Sequence, residues 1–168
     1  MRTICLYVFA VVFLVSSCGQ HKNNPEQKPA ENTDTVQGIE KLEFTDSLKL
    51  EANENMRFNK ELFRVRAGNK ICLILKNTSV KSGASMTHNV VVLKSGVDIA
   101  DFADVAHKAK NEQYVPSSLY PLIIAHTKMV NAGQSDTVTF TIPQAGVHDF
   151  ICSYPGHWGT MQGKIVAQ

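Results

Sequence analysis

The chain has 168 residues, a formal net charge of +2 and a charged fraction of 19%. That near-balance is too weak a basic excess to imply nucleic-acid binding. No stretch supplies the roughly 20 consecutive apolar residues that a transmembrane helix requires.

At the N-terminus, Arg2 precedes an apolar run from Ile4 to Val15, followed by Ser16-Ser17-Cys18. A positive start, a short hydrophobic run and small residues at its end make residues 1–17 a secretory signal peptide. Leu14-Val15-Ser16-Ser17-Cys18 resembles a bacterial lipobox, so Cys18 is expected to become an acylated N-terminal residue. Residues 18–38 are rich in Asn, Gln, Glu, Lys and Pro and nearly lack large apolar side chains. Such a segment cannot offset its ordering entropy by burial and is expected to be a disordered tether. Processing would remove Arg2 and lower the charge from +2 to +1. Residues 39–168 then form one domain, of a size that buries roughly two-thirds of its unfolded surface and needs no staples.

Within that domain, short β-rich runs alternate with turn residues. The pattern predicts strands at Ser47–Ala52, Leu62–Ala67, Lys70–Asn77, His88–Lys94, Leu122–Val130, Asp136–Ile142, Val147–Cys152 and Gly163–Ala167, with a weaker one near Val36–Phe44. In Thr137-Val138-Thr139-Phe140-Thr141-Ile142 the apolar residues Val138, Phe140 and Ile142 share one face. Ala67-Gly68-Asn69-Lys70 reads as a tight hairpin turn, and Pro143 to Gly146 as a loop. One segment has helical spacing: Asp98 would cap a helix whose apolar face is Ile99, Phe102, Ala103, Ala106 and Val105 or Ala109. About eight strands with one short inserted helix point to an all-β Greek-key sandwich.

The C-terminal segment Cys152-Ser153-Tyr154-Pro155-Gly156-His157-Trp158-Gly159-Thr160-Met161 carries the chemistry. A thiol, an imidazole and a thioether fall on one loop between two strands, and Pro155-Gly156 bends that loop so that its ligands can converge. A fourth ligand must come from elsewhere, and His88, at the start of a predicted strand, offers it. Two His and one Cys in a plane with a weak axial Met make the type 1 copper arrangement. Zinc could occupy a Cys-His-His site, but structural zinc prefers four strong tetrahedral ligands, and Met161 in the fourth place argues for copper. His21, His107, His126 and His148 read as ordinary surface or core residues.

The spacing Cys-x4-His-x3-Met, with Pro-Gly before the His, resembles that of azurins, which are blue copper proteins with the cupredoxin-like fold. So do Met86-Thr87-His88-Asn89 and the pair of segments Ile124-Ala125-His126-Thr127-Lys128 and Ser135-Asp136-Thr137-Val138-Thr139-Phe140. The resemblance runs from about Phe44 to Val166. It implies Nδ1 ligation by His88 and His157, the Cys152 sulfur, an axial Met161, and a distant axial contact from the Thr87 backbone carbonyl. It also implies that Asn89 braces the ligand loop, with the Asn89 and Tyr154 N–H groups hydrogen-bonded to the cysteine sulfur. The exposed edge of His157, within a patch of Met86, Tyr154, Pro155 and Trp158, would be the electron port. This chain departs from the family in several places. Thr87 stands where Gly is usual, Tyr154 where Phe is usual and Val90 where a buried Trp is common, and Trp158 adds a ring beside the port. The family's disulfide is missing, and Cys72 reads as a small core residue.

By this resemblance the protein is expected to be a periplasmic carrier, not an enzyme, shuttling single electrons through one type 1 copper per chain. Its partners would be redox proteins such as c-type cytochromes or a terminal reductase or oxidase. It would be monomeric and anchored to the periplasmic face of a bacterial membrane through Cys18. The alternative is a copper-binding module for buffering or delivery. A trinuclear oxidase would need histidines flanking the cysteine, where Ile151 and Ser153 stand.

Overall fold

The computed structural model describes residues 33–168 apart from 82, 84 and 85, so the signal peptide, Cys18 and most of the assigned tether lie outside the described residues. Eight strands follow in chain order: β1 Ser47–Ala52, β2 Leu62–Val65, β3 Lys70–Asn77, β4 Val91–Leu93, β5 Ile123–His126, β6 Ser135–Thr141, β7 Gly146–Ile151 and β8 Gln162–Ala167. The α-helix α1, Ile99–Ala106, lies between β4 and β5. Two sheets result, of order β1-β3-β6 and β2-β8-β7-β4-β5, as expected for a Greek-key sandwich.

Alternation writes the first sheet. In β1 the residues Leu48, Leu50 and Ala52 point inward and are buried, while Ser47, Lys49 and Glu51 are exposed. β3 continues the rule with Ile71, Leu73 and Leu75 inward. The inner faces of both sheets close over one core that includes Phe63, Val92, Phe150 and Ile165 from the second sheet.

The second sheet is covered on both faces at β4 and β7, so β4 is an unbroken apolar run and β7 is buried at every position but Asp149. Its outer face, through Val91, Leu93 and Ile151, packs on Phe102, Ala106, Val115, Leu119 and Leu122 of the α1–β5 crossover. α1 begins where the spacing predicts, because the Asp98 side chain accepts from the N–H groups of Ala100 (2.9 Å) and Asp101 (3.1 Å). Among the described residues no helix is long and apolar enough to cross a membrane.

Several expectations are corrected. Val36–Phe44 is not a strand but short 3-10 turns around Gly38, whose φ of 85° breaks an extended path; only Phe44 bridges, to Arg64. Val36, placed in the tether, is 8% exposed and packs with Ile39, Val147 and Val166, so the packed chain starts before residue 39. Residues 67–70 do turn, with Gly68 at φ 82°, but they do not join a hairpin. β2 pairs with β8 and β3 with β1 and β6, so this turn crosses from one sheet to the other. β2 ends at Val65; the Ala67 N–H still donates to Gln168, next to its β8 partner, and the chain has changed sheet by Gly68, whose N–H donates to Ile142. Cys72 is a free thiol on the outward face of β3 and is only half-buried, not in the core.

Candidate metal centre

The site lies at the end of the second sheet where β4 begins and β7 ends. These strands are antiparallel, with Val91 opposite Ile151 and Val92 opposite Phe150. Continuing that register sets Asn89 opposite Ser153 and Val90 opposite Cys152, just past regular pairing. There side chains take over from the ladder. The Asn89 amide donates to Ser153 Oγ at 2.8 Å and accepts the Ser153 N–H at 2.9 Å, with both residues buried. The Asn89 side chain thus ties the segment before β4 to the one after β7.

His88 is fixed from its other side. Its N–H donates to the Val130 carbonyl (3.1 Å) and its carbonyl accepts from the Val130 N–H (2.7 Å), an isolated bridge ahead of β4. This is why the predicted strand His88–Lys94 is shorter in the structure. Asn77, the last residue of β3, reinforces the arrangement by donating to the carbonyls of Met86 (2.7 Å) and Val130 (2.9 Å). Its own Oδ1 accepts from the Ser79 N–H at 3.1 Å.

The ligand-rich loop is closed at its base, where the Cys152 N–H donates to the Met161 carbonyl at 2.9 Å. Inside it, the His157 N–H donates to Tyr154, and the His157 carbonyl accepts from both Thr160 (3.0 Å) and Met161 (2.9 Å). Gly156 permits this compact winding with a φ of 81°, a conformation costly for residues with a Cβ. The Thr160 hydroxyl donates to the Met56 carbonyl at 2.8 Å, binding the β1–β2 loop to the ligand loop.

These constraints bring three donors together. One donor atom each from His88, Cys152 and His157 lies within 4.8 Å of the others, and all three residues are buried. Cys152 Sγ is 3.6 Å from His157 Nδ1, and the two imidazole centroids are 5.0 Å apart. Burial lowers the His88 pKa to about 4, helped by the neighbouring His157, so this imidazole is neutral at neutral pH. Burial raises the Cys152 thiol to about 11, opposed by hydrogen bonds from the Asn89 and Tyr154 N–H groups. The same two amides are the ones expected to hold a thiolate.

Neither ring nitrogen of His88 has a hydrogen-bond partner. A buried, unpaired imidazole is costly within the protein alone, and a metal ion at its lone pair removes part of that cost. The donor chemistry, one soft sulfur and two imidazoles in a dry setting, fits copper. Met161, at the other end of the loop, is wholly buried.

The remaining expected residues sit around this cluster. Thr87 donates its hydroxyl to Asn131 Oδ1 at 3.1 Å. Met86, Tyr154 and Trp158 are half-buried and Pro155 is exposed. His157, expected to show an edge, is only 2% exposed, with the Tyr154 ring packed on it at a centroid distance of 4.6 Å. Of the other histidines, His107 bonds the Ala103 carbonyl, His126 stacks on Tyr120, and His148 is buried beside the Leu93 carbonyl. Sequence reading missed Asn77, Met56 and Tyr114. Asn77 had a signal, as a polar residue at an inward position after Ile71, Leu73 and Leu75. Met56 and Tyr114 reach the site through the fold, and no local pattern marks them.

Residues 44–168 match the copper binding proteins of the plastocyanin/azurin family. The chain is similar to an azurin of Alcaligenes faecalis, with 34% identity over 122 residues, 70% of this chain and 94% of that one. It is also similar to outer membrane protein H.8 of Neisseria gonorrhoeae, with 31% identity over 69% of this chain and 64% of that one. The solved structure of auracyanin A, a "blue" copper protein from Chloroflexus aurantiacus, matches with a TM-score of 0.65 and 31% identity, over 73% of this chain and 98% of that one.

Proposed function

Because the chain belongs to the plastocyanin/azurin family of copper-binding proteins, we propose that it is a one-electron carrier whose single type 1 copper is held by His88, Cys152, His157 and Met161. The observation that carries this reading is the buried convergence of two imidazoles and one thiol on loops that hydrogen bonds lock together. Copper bound there supplies the chemistry by alternating between Cu(II) and Cu(I).

The chain's own part is to hold the donors still. To hold the metal Cys152 would have to give up its proton, and the Asn89 and Tyr154 amides would stabilise the resulting thiolate. The neutral His88 offers a lone pair without losing a proton. Asn89 ties the His88 segment to the ligand loop, so gain or loss of charge at the centre finds donors that barely move. Met161, wholly buried, would keep water away and offer a weak thioether donor, and the Thr87 carbonyl would be a more distant contact. Buried, braced donors favour a carrier over a buffering or delivery module, which must let metal go.

The same reading extends to location. The lipobox ending at Cys18 and the similarity to a protein named for the outer membrane support an exported, lipid-anchored carrier on the periplasmic face of a bacterial membrane. Its partners there would be redox proteins such as c-type cytochromes or a terminal reductase or oxidase, met by a monomeric domain. An unmodified Cys18 in the mass spectrum of the mature protein would remove the anchor and leave the copper assignment standing. The carrier itself is tested by copper reconstitution followed by redox titration. One copper per chain, a reversible one-electron wave and slow metal exchange are expected; fast exchange to a chelator without a reversible wave would favour delivery.

A further inference from the structure

Ring contacts lead outward from the donors in one direction. His157 and Tyr154 lie 4.6 Å apart by centroids, and Tyr154 and Tyr114 lie 5.1 Å apart, edge to face at 70°. The histidine is 2% exposed, whereas both tyrosines are half-buried. On this side, a molecule approaching His157 therefore meets tyrosine first.

Tyr114 comes from the crossover between α1 and β5, and its backbone holds it there. Gln113 and Tyr114 are successive non-glycine residues with φ of 53° and 61°. Residues keep this disfavoured conformation only where their surroundings over-determine it. Here the Tyr114 N–H donates to Ala109 (3.0 Å), the Gln113 N–H to Lys110 (3.1 Å) and the Val115 N–H to Glu112 (3.1 Å). The Glu112 carboxylate accepts from the Ser117 N–H at 2.8 Å, and Val115 is anchored at 4% exposure. The result of these constraints is a phenol ring set against Tyr154.

We propose that Tyr114 is a positioning residue for electron transfer: it clamps Tyr154 over His157, so that the Tyr154 ring, not a bare histidine edge, is the contact a redox partner meets. This rests on the electron-carrier reading above. No bond forms or breaks in the step. One electron leaves a reduced copy and enters an oxidised one, and both phenols keep their protons and electrons. The phenol oxygens have no part in the clamp, which is a ring-to-ring contact.

The test compares wild type, Tyr114→Phe and Tyr114→Ala. Copper-loaded proteins are assayed for electron self-exchange by NMR line broadening, alongside potential and visible spectrum. Copper-free proteins are assayed by the NMR shifts of the His157 ring protons, which lie under the Tyr154 ring. In Tyr114→Ala, self-exchange should slow by about fivefold, the population bias expected from losing one edge-on aromatic contact. Its spectrum and potential should hold, its copper-free His157 resonances should move, and Tyr114→Phe should behave as wild type. Unmoved His157 resonances in Tyr114→Ala, an unchanged exchange rate, or a Phe variant that behaves like Ala would overturn the clamp. A wild type that shows no self-exchange, with His157 shifts that still respond to Tyr114→Ala, would strike the carrier reading and leave the ring contact in place.

Discussion

The two sheets of the sandwich differ in what covers them. The three-stranded sheet turns one face to solvent, and its β1 shows strict alternation between exposed and buried residues. The five-stranded sheet is covered on both faces in β4 and β7, so alternation disappears there. The metal donors stand at an end of this second sheet, with Cys152 one step beyond β7 and His88 three before β4, where side-chain bonds from Asn89 and Asn77 supplement the backbone. The first sheet closes the core, and the second both closes it and ends in the site. Stability and metal binding should therefore respond differently to changes in different places.

The largest loss of stability should come from the shared core. Phe150 is wholly buried and packs against Phe58 and Phe63 at centroid distances of 5.7 and 6.0 Å. Phe150→Ala should cost about 3–5 kcal/mol in denaturant unfolding, while the folded fraction still binds copper. Loss of copper from a protein that remains folded would show that the core and the site are less separable than this comparison holds.

Asn77→Ala should cost less stability but reach the site. It takes their Asn77 partner from the Met86 carbonyl and the Ser79 N–H and leaves the Val130 carbonyl with the His88 N–H alone, a penalty of about 1–3 kcal/mol. Because those carbonyls border the His88 segment, copper affinity should fall as well. A variant with wild-type affinity would restrict Asn77 to a structural role.

Acid separates the two functions in the copper-free protein. The His88 pKa is about 4 in the folded chain against 6.5 ordinarily, so between these values the unfolded chain binds a proton that the folded one refuses. This contribution to stability is fully present above pH 6.5 and is lost as pH falls toward 4. At the other end, the Cys152 thiol at about 11 against 9.0 makes stability fall as pH rises through that interval. In equilibrium unfolding, the stability of wild type relative to His88→Gln should therefore fall as pH drops below 6.5. A constant difference between them down to pH 4 would contradict a dry, neutral His88.

The smallest effect belongs to the open face of the first sheet. Thr139 is exposed there, opposite Cys72 across the β3–β6 pairing, and Thr139→Ala should stay within about 0.5 kcal/mol. A larger change, or any change in copper binding, would mean that this face is covered in solution.

The same contrast explains what could be read from the sequence. β1 and β3 are legible to the residue because one open face imposes alternation, and every departure from it ends a strand. β4 and β5 are not, because the residues flanking them, His88, Thr127 and Val130, are buried and strand-like after the ladder has been replaced. Thr127, for example, takes the Val90 N–H on its side-chain oxygen at 3.0 Å, a substitution that composition does not reveal. The donors Cys152 and His157 are legible because one loop carries them, and His88 through its resemblance and position. The seat of Tyr114 depends on two residues at positive φ, and the turn at Gly68 on a change of sheet. Both are decided by long-range packing, which a local pattern does not encode.

Cys152, brought beside His88 and His157 at the end of β7, is the residue on which a type 1 copper centre here depends. Visible absorption during Cu(II) titration of wild type and Cys152→Ser tests it most directly. Wild type should turn intensely blue and saturate at one copper per chain, because a thiolate in the copper plane gives strong charge transfer, and Cys152→Ser should remain folded and never develop that colour. A copper-loaded Ser variant that is equally blue, or a wild type that binds copper without colour, would contradict the account.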